Sequence, residues 1–337
     1  MLLITSNLFA AHVTPPGHPE RPERAEVFDS VAAAYGSAGG PLAAPRRATL
    51  DELARVHASN HLDAIRELNG RPAMIDADTF MSPQSYDVAL LAAGATIQAA
   101  QHALDHHQPA FALVRPPGHH AERDRAMGFC LFNNIAAAAA AALARGLSRV
   151  AIVDIDVHHG NGTQDIFYAE PRVLYVSTHQ YPFYPGTGAA DEVGTAEGRG
   201  FTANVPMEAG STDADVAFVH REVIAPVLDE FAPQLTLVSA GYDAHERDPL
   251  ASMRMTAAGY RHVIGSLTSL ARRHGAIAFT SEGGYELSAL AECLTTTIAA
   301  IGDPEAASAA RFEGPTARGE RAATAALSAL KPYWRGL

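Results

Sequence analysis

Short apolar runs rich in β-branched residues alternate along the chain with Ala-rich stretches that favour helices. The runs predicted as strands are FALVRPP (111–117), RVAIVDIDV (149–157), RVLYVSTH (172–179), LTLVSAGYD (235–243) and AIAFTSEGG (276–284). The segment NIAAAAAAALARG (134–146) is typical of the helices between them, with Asn133 or Asn134 as N-cap and Gly146 as the stop. The N-terminal MLLITSNLFAAHV is predicted as a first or edge strand. This alternation predicts an α/β fold with a central, mostly parallel sheet flanked by helices.

The length and composition fit one large domain. The chain has 337 residues, of which 47% are hydrophobic and 18% charged, as expected for an enzyme-sized globular core. No internal repeat and no linker-like boundary occurs before about residue 303. We therefore predict a single domain over 1–337, with a core over about 1–302 and a C-terminal helical tail over about 303–337.

The charge and cysteine content exclude several classes of protein. The formal net charge is -12 without any Lys/Arg-rich run, which argues against a nucleic-acid partner. Cys130 and Cys293 lie far apart and outside any CxxC pattern, which argues against a disulfide framework and suits a reducing compartment. The N-terminus lacks a basic signal-peptide region, and no apolar run has the length of a membrane span. The sequence thus predicts a cytoplasmic location without a membrane partner, and it leaves the oligomeric state open.

The stretch VDIDVHHGNGTQ places acidic and imidazole side chains on a strand that should be buried. Asp154, Asp156 and His158 stand at every second position, so in a strand they share one face. Burying two unpaired carboxylates costs several kcal/mol each, so such a face needs a cation. A divalent metal fits this set of oxygen and nitrogen ligands, and the alternative is a strand end that reaches water.

Other strands carry reactive side chains at the same kind of position. RPPGHH ends one strand with His119 and His120, SAGYD ends another with Asp243, and EGGY follows a third with Tyr285. In open α/β sheets ligands bind at the carboxyl ends of the strands. A metal site, two candidate acid/base histidines and a phenol donor are the parts needed to hydrolyse an amide.

These motifs together resemble those of the zinc-dependent histone deacetylase family. RPPGHHA, DIDVHHGNGTQ, FYPGTG, SAGYDAHERDP and EGGY occur in the family's order, as do HPERPER and DTFMSPQSYDVALLAAGA (78–95). The Asn of HHGNG and the EGGY form resemble the class II branch and its bacterial amidohydrolase relatives. The resemblance covers about residues 1–300, and it implies a three-layer fold of the arginase/deacetylase type.

The resemblance implies a zinc site and a pair of histidines. Asp156, His158 and Asp243 would hold the ion, and a fourth position would be left for water and the substrate carbonyl. His120 would be the general base and would protonate the leaving amine. His119 would act as an electrostatic partner or second acid.

The resemblance also implies residues that support this chemistry. Asp154 would orient His119, and Asn161 would orient His120. Because Asn161 is neutral, it should raise the basicity of its histidine less than a carboxylate would. Tyr285 would donate its hydroxyl to the developing oxyanion.

Further positions correspond to the substrate tunnel and to a second ion. Phe129 and Tyr184 would line a narrow tunnel, with the Gly128 carbonyl near the amide, Asp78 at the rim and Arg24 near the exit path of the released acid. The potassium ion of the family would lie next to zinc, with ligands from a set shared with the zinc site. This set comprises the main-chain oxygens of Asp154, Asp156 and His158 together with Ser177 and Thr178.

Several functions remain open at this point. The expected substrate is an acylated amine, and acetyl-lysine in proteins, acetylated polyamines and other small acylamides compete. Polyamine-specific relatives carry a gatekeeping Glu after the DP of SAGYDAHERDP, whereas this chain has Leu250, which resembles the lysine-deacetylase pattern.

A ureohydrolase of the arginase type would need two manganese ions and more Asp ligands than the sequence offers, with His159 where one is expected. A non-catalytic acyl-binding protein would be expected to lack a ligand or Tyr285. The choice between zinc and iron(II) is also open.

Overall fold

The computed structural model describes residues 1–337 and contains an eight-stranded parallel sheet in the order β2-β1-β5-β10-β9-β6-β7-β8. The strands of this sheet are β1 (Leu2–Ile4), β2 (Leu42–Ala43), β5 (Ala110–Ala112), β6 (Val150–Asp154), β7 (Val173–Gln180), β8 (Thr202–Met207), β9 (Leu235–Ala240) and β10 (Ala276–Ser281). A separate antiparallel pair is formed by β3 (Ala73–Met74) and β4 (Phe80–Met81). The predicted α/β class with a parallel central sheet is therefore confirmed.

Helices cover both faces of the sheet. They are α1 (Glu23–Ser37), α2 (Leu50–Leu53), α3 (Ser59–Glu67), α4 (Ser85–His106), α5 (Asn134–Ala144), α6 (Asn161–Phe167), α7 (Asp213–Val219), α8 (Ala225–Phe231), α9 (Ala257–His274), α10 (Leu287–Gly302), α11 (Pro304–Ser308) and α12 (Ala317–Leu330). One π-helical turn, His220–Ile224, joins α7 to α8, and 3-10 turns occupy Asn7–Ala11 and Ala196–Gly198. No helix combines the length and the hydrophobicity needed to cross a membrane.

Alternate residues of the central strands belong to two different hydrophobic cores, one on each face of the sheet. In β6, Ala151 and Val153 belong to one core, which also contains residues of α9 and α10. Val150 and Ile152 belong to the other, which contains residues of α4 and α5. Successive side chains of a strand point to opposite faces, so a strand buried on both sides is apolar throughout. The result is a three-layer architecture.

The capping signals of α5 agree with the structure. Asn133 is the N-cap, and its side chain accepts a hydrogen bond from the Ala136 N–H at 3.0 Å. The helix ends at Ala144, and Gly146 follows with a φ of 96°, a conformation that glycine adopts at little cost. The alanine run lets this helix pack closely on α4 and on β6.

Four of the five predicted strands extend too far at their carboxyl ends, whereas RVLYVSTH (172–179) stops one residue before the end of β7. β6 ends at Asp154, so Asp156 and His158 lie in the following loop rather than on a strand face. β5 ends at Ala112, well before the cis-prolyl bond at Arg115-Pro116. One residue or more beyond these points, main-chain N–H groups donate to side chains instead of a neighbouring strand, as Val114 does to Ser281 Oγ and Val157 to Asp243 Oδ1. Two sheet strands, β2 and β8, were not predicted, and the N-terminal strand β1 lies between β2 and β5 rather than at the edge.

The C-terminal tail packs on the sheet-and-helix core. Its helix α12 contacts α7 and β8, and Leu330 and Trp334 are buried in the larger core. The Trp334 indole N–H donates to the Gly200 carbonyl at 2.9 Å. The tail therefore shares a hydrophobic core with the rest of the chain.

Candidate metal and catalytic site

The candidate metal ligands come from loops at the carboxyl edge of the sheet. Asp156 and His158 follow β6, and Asp243 follows the neighbouring strand β9. All three are buried, and one ligand atom from each lies within 4.8 Å of the others. His158 Nδ1 is 3.1 Å from Asp156 Oδ1 and 3.2 Å from Asp243 Oδ2. The structure thus brings together the three residues predicted to bind zinc.

The chemistry of this cluster fits a bound cation. Asp243 Oδ2 is buried and has no hydrogen-bond partner, which is costly for a carboxylate oxygen unless a cation contacts it. Burial opposes charge on His158, but the adjacent Asp156 and Asp243 carboxylates outweigh it and raise the pKa of His158 to about 10. Burial and the Asp156 carboxylate raise the pKa of Asp243 to about 7. The two buried carboxylates of this cluster therefore stabilise a positive charge placed between the ligand atoms.

Main-chain groups hold the two carboxylates in place. The Gly283 N–H donates to Asp156 Oδ2 at 2.8 Å, and the Val157 N–H donates to Asp243 Oδ1 at 2.9 Å. A Cβ atom at Gly283 would collide with the Asp243 and Asp156 carboxylates. Glycine at this position thus allows the loop after β10 to approach both ligands closely.

His119 is paired directly with a buried carboxylate. Its Nδ1 lies 3.0 Å from Asp154 Oδ2, which also accepts the Tyr175 hydroxyl at 3.2 Å. Burial disfavours charge on the ring, but the Asp154 and Asp156 carboxylates outweigh it and raise the pKa of His119 to about 10. His119 is therefore positively charged at neutral pH in this arrangement.

His120 has a different partner and a different charge. Its Nδ1 lies 2.7 Å from Asn161 Oδ1, and its ring centroid is 4.1 Å from that of His119. Burial and the neighbouring His119 and His158 hold the pKa of His120 well below its usual value. A neutral imidazole whose Nδ1 is engaged by an amide can use its other nitrogen as a base.

A buried glutamate anchors the loop that carries both histidines. Glu282 Oε2 accepts hydrogen bonds from the Gly118 N–H at 2.7 Å and the His119 N–H at 3.2 Å. Its Oε1 accepts the Ser239 hydroxyl at 3.0 Å. Burial raises the pKa of Glu282 to about 7 in spite of the positive charge of His119. Glu282 thus ties the RPPGHH loop to β9.

Tyr285 is held from both sides. Its main-chain N–H donates to Asp248 Oδ2 at 2.6 Å, and its ring meets Phe129 edge-on with centroids 5.9 Å apart. Arg24 lies against the ring and donates through Nε to the Gly284 carbonyl at 2.8 Å. Burial and the Asp243 carboxylate raise the pKa of Tyr285 well above its usual value, so the phenol keeps its proton.

Aromatic side chains surround the space in front of the cluster. Tyr184 meets the His120 ring edge-on at 5.3 Å, and Phe183 stacks on His158 at 5.5 Å. Gly128 and Phe129 have φ angles of 55° and 69°, and a Cβ at Gly128 would collide with the His120 ring. Tyr184 thus lies against His120 and Phe129 against Tyr285, and Phe183 is an aromatic neighbour that was not predicted.

Asp78 and Leu250 are both close to His18. The Asp78 carbonyl lies 2.9 Å from His18 Nε2, and the His18 ring meets Phe129 at 4.7 Å. Leu250 and Tyr285 line a cavity of about 670 Å³ together with His18. Leu250 therefore lies beside Tyr285 at this cavity, and Asp78 is connected to it through His18.

The predicted potassium ligands lie on β6, on the loop after it and on the neighbouring strand β7. Ser177 and Thr178 belong to β7, which pairs with β6 so that Ser177 is opposite Asp154. The carbonyl oxygens of Asp156 and His158 accept no backbone hydrogen bond, although both residues are buried. Buried carbonyl oxygens are almost always paired, so these two are free to contact a partner such as a cation.

Several supporting residues were not singled out from the sequence. They are His18, Glu20, Arg115, Glu122 and Glu282. Each lies in or next to a quoted motif, namely HPERPER, RPPGHHA or EGGY, so the motifs gave a signal that these residues contribute. Their partners are distant in sequence, which is why their roles required the structure. A buried cluster of candidate metal ligands beside two histidines and a phenol is an arrangement that metal-dependent hydrolases use.

Comparison with known proteins gives the family. The family profile described as the histone deacetylase domain matches residues 18–301, so the chain belongs to the histone deacetylase family of hydrolases. It is 41% identical over 285 residues to a probable deacetylase of Archaeoglobus fulgidus, covering 83% of this chain and 79% of that protein. It is 42% identical over 290 residues to histone deacetylase 15 of Arabidopsis thaliana, covering 83% of this chain and 52% of that protein. The chain thus spans about half the length of the Arabidopsis relative.

A solved structure agrees with the sequence comparison. The crystal structure of the HDA15 HD domain superimposes with a TM-score of 0.92 at 36% identity, covering 100% of this chain and 97% of that domain. The predicted three-layer fold of the arginase/deacetylase type is confirmed.

Proposed function

We propose that this chain is a zinc-dependent deacylase that removes an acetyl group from acetyl-lysine or a related acylated amine and releases acetate. The observation that carries the proposal is the convergence of Asp156, His158 and Asp243 beside His120. Zinc held by these three ligands would supply Lewis acidity toward the amide carbonyl and the attacking water. Family membership supports amide hydrolysis, and the ligand set supports zinc.

The two histidines would divide the acid and base roles. His120 is neutral and bonded at Nδ1 to Asn161, so its Nε2 can take a proton from water and pass it to the leaving amine. His119, paired with Asp154, would keep its charge and stabilise the negative charge that develops on the substrate.

The remaining residues would position the substrate. The Tyr285 hydroxyl would donate to the developing oxyanion, since the phenol is protonated and its loop is fixed by Asp248. Phe129 and Tyr184 would enclose an aliphatic stem and exclude water, with the Gly128 carbonyl near the amide. Asp78 at the rim would hold the backbone of a peptide substrate.

The mouth of the site supports acetyl-lysine over acetylated polyamines. Leu250 lines a cavity together with Tyr285, and it stands at the sequence position where polyamine-specific relatives carry a glutamate. This chain therefore lacks the glutamate that those relatives offer to the second ammonium of a polyamine.

The structural supports of the site are part of the proposal. We assign Asp154, Asp156, His158, Ser177 and Thr178 to a potassium ion behind the zinc site. We also assign residues 1–337 to one domain, since the tail buries Trp334 in the common core. A cytoplasmic location remains a prediction.

The deciding experiment compares deacylation rates on an acetyl-lysine peptide, N-acetylspermidine and a trifluoroacetyl-lysine peptide, with zinc measured per chain. We expect about one zinc per chain, turnover of the peptides, and loss of turnover on chelation and in His120→Ala. Two manganese ions with urea release would instead support a ureohydrolase. Acyl-amine binding without turnover of any substrate would support a non-catalytic protein.

A further inference from the structure

The side chain of Asn161 is held at both ends. Its Oδ1 is 2.7 Å from His120 Nδ1, and its Nδ2 donates to Glu122 Oε1 at 2.7 Å and lies 3.3 Å from the Met127 sulfur. An ionised carboxylate and a thioether accept hydrogen bonds but cannot donate them. The amide NH₂ must therefore face Glu122 and Met127, which leaves the carbonyl oxygen facing His120.

This orientation decides which nitrogen of His120 carries the proton. Because Asn161 Oδ1 can only accept, Nδ1 of the neutral ring must be the donor, and Nε2 is left without a proton. If the amide were reversed, its NH₂ would require Nδ1 as an acceptor, and the proton would move to Nε2. A ring with its proton on Nε2 could not act as the base.

Only Glu122 disfavours the reversed amide by charge. Reversal would place Asn161 Oδ1 against the Glu122 carboxylate, two acceptors at hydrogen-bond distance, in a residue that is 5% exposed. Such a buried unpaired contact is costly. His119 needs no such positioning group. Its partner Asp154 is a carboxylate with two equivalent oxygens, so turning the carboxylate over would leave an acceptor facing His119.

We propose that Glu122 is a positioning residue that fixes the Asn161 amide and thereby keeps Nε2 of His120 free as the proton acceptor. Its effect on catalysis rests on the proposed deacylase function, whereas its effect on the orientation of Asn161 does not. The Glu122 main chain is anchored separately, because its carbonyl lies 2.9 Å from His57 Nδ1. Its carboxylate also accepts a hydrogen bond from Arg125 at 3.0 Å, through an arginine side chain that is 60% exposed.

The first test reads the tautomer of His120 directly. Nitrogen-15 NMR of the zinc-loaded protein should show the proton on Nδ1 of His120 in the native chain. Glu122→Leu, which removes the acceptor, should give a mixture of tautomers and lower kcat about tenfold or more with little change in KM. Glu122→Gln keeps an acceptor oxygen and should lie between the two. Asp63→Asn is the matched control, because Asp63 forms a comparable i,i+3 pair with Arg66 away from the site.

The second test uses a change of sign that requires direct contact between the side chains of residues 122 and 161. Asn161→Asp places a second carboxylate against Glu122 and should lower both Tm and kcat. Glu122→Gln should lower Tm in the native background and raise it in the Asn161→Asp background, because it then removes a repulsion. The melting measurements are made on metal-free protein, so they do not depend on turnover.

The outcomes separate the two proposals. An unchanged His120 tautomer in both Glu122 variants, or additive Tm effects of the two substitutions, would overturn the role of Glu122. A native chain without amide hydrolysis would overturn the deacylase function and would leave the NMR and melting results valid. If Glu122→Leu does not fold, the His120 tautomer in Glu122→Gln and the Tm values of the Glu122→Gln and Asn161→Asp combinations decide whether Glu122 has this role.

Discussion

Arg24 lies against the ring of Tyr285, with its guanidinium carbon 5.1 Å from the ring centroid. The same guanidinium is fully buried and donates through Nη1 to Glu20 Oε1 at 2.8 Å. Glu20 also binds Arg115 through two hydrogen bonds of 2.8 Å. A buried ion network thus packs against Tyr285, the proposed oxyanion donor, so the position of its ring is set before substrate binds.

Removal of the Tyr285 hydroxyl should affect the chemical step alone. We expect Tyr285→Phe to lower kcat on an acetyl-lysine peptide about 100-fold or more, because one oxyanion donor is lost. Zinc content and Tm should stay close to native values. Tyr333→Phe is the control, since Tyr333 accepts a hydrogen bond from Arg199 far from the site. A native kcat for Tyr285→Phe would refute the oxyanion role.

Removal of one metal ligand should separate metal binding from folding. In Asp243→Asn the Val157 N–H keeps an acceptor, while the repulsion with Asp156 is relieved. We expect the metal-free variant to melt at or above the Tm of the metal-free native chain. Added zinc should raise the Tm of the native chain but not that of the variant, because ligand binding stabilises the folded state. An equal zinc-dependent shift in both would contradict the assignment of Asp243 as a ligand.

The Glu20 network should make stability depend on acid pH. Burial disfavours the Glu20 carboxylate, but Arg115 and Arg24 outweigh it and lower its pKa from 4.5 to about 2. The folded chain therefore binds fewer protons than the unfolded chain between these values. The stabilisation, about 3 kcal/mol, is complete above the unfolded pKa and is lost as the pH falls through the folded pKa.

Denaturant unfolding of the native chain and Glu20→Gln measures this contribution. The native chain should be more stable at neutral pH, because the variant leaves buried arginines without their carboxylate. The difference should shrink by about 2 kcal/mol from pH 5 to pH 3. Asp63→Asn, in an exposed pair, should show no comparable change. A difference independent of pH would contradict the lowered pKa.

The entrance residue should control substrate choice. Leu250→Glu should raise kcat/KM for N-acetylspermidine relative to an acetyl-lysine peptide, because a carboxylate at the mouth attracts the distal ammonium. Leu250→Gln is the control of similar size without charge. An equal change of selectivity in both variants would show that size rather than charge is responsible.

The sequence determined the class of sheet and the chemical identity of the site. Apolar runs such as Val150–Asp154 predict strands buried on both faces, because such strands need no polar side. His119, His120, Asp243 and Tyr285 could be assigned to the carboxyl edge of the sheet, since parallel strands bring their ends together. These inferences depend only on periodicity and chain direction.

Only the tertiary structure decided how the charges are distributed around that site. Asp156 and His158 lie beyond the end of β6, and their geometry is set by main-chain donors such as Gly283, 127 residues from Asp156 along the chain. Likewise, the unlike states of His119 and His120 follow from burial and from partners that sequence spacing does not reveal. Burial and long-range hydrogen bonds arise only when distant loops meet, and they set both the protonation state and the orientation of each group.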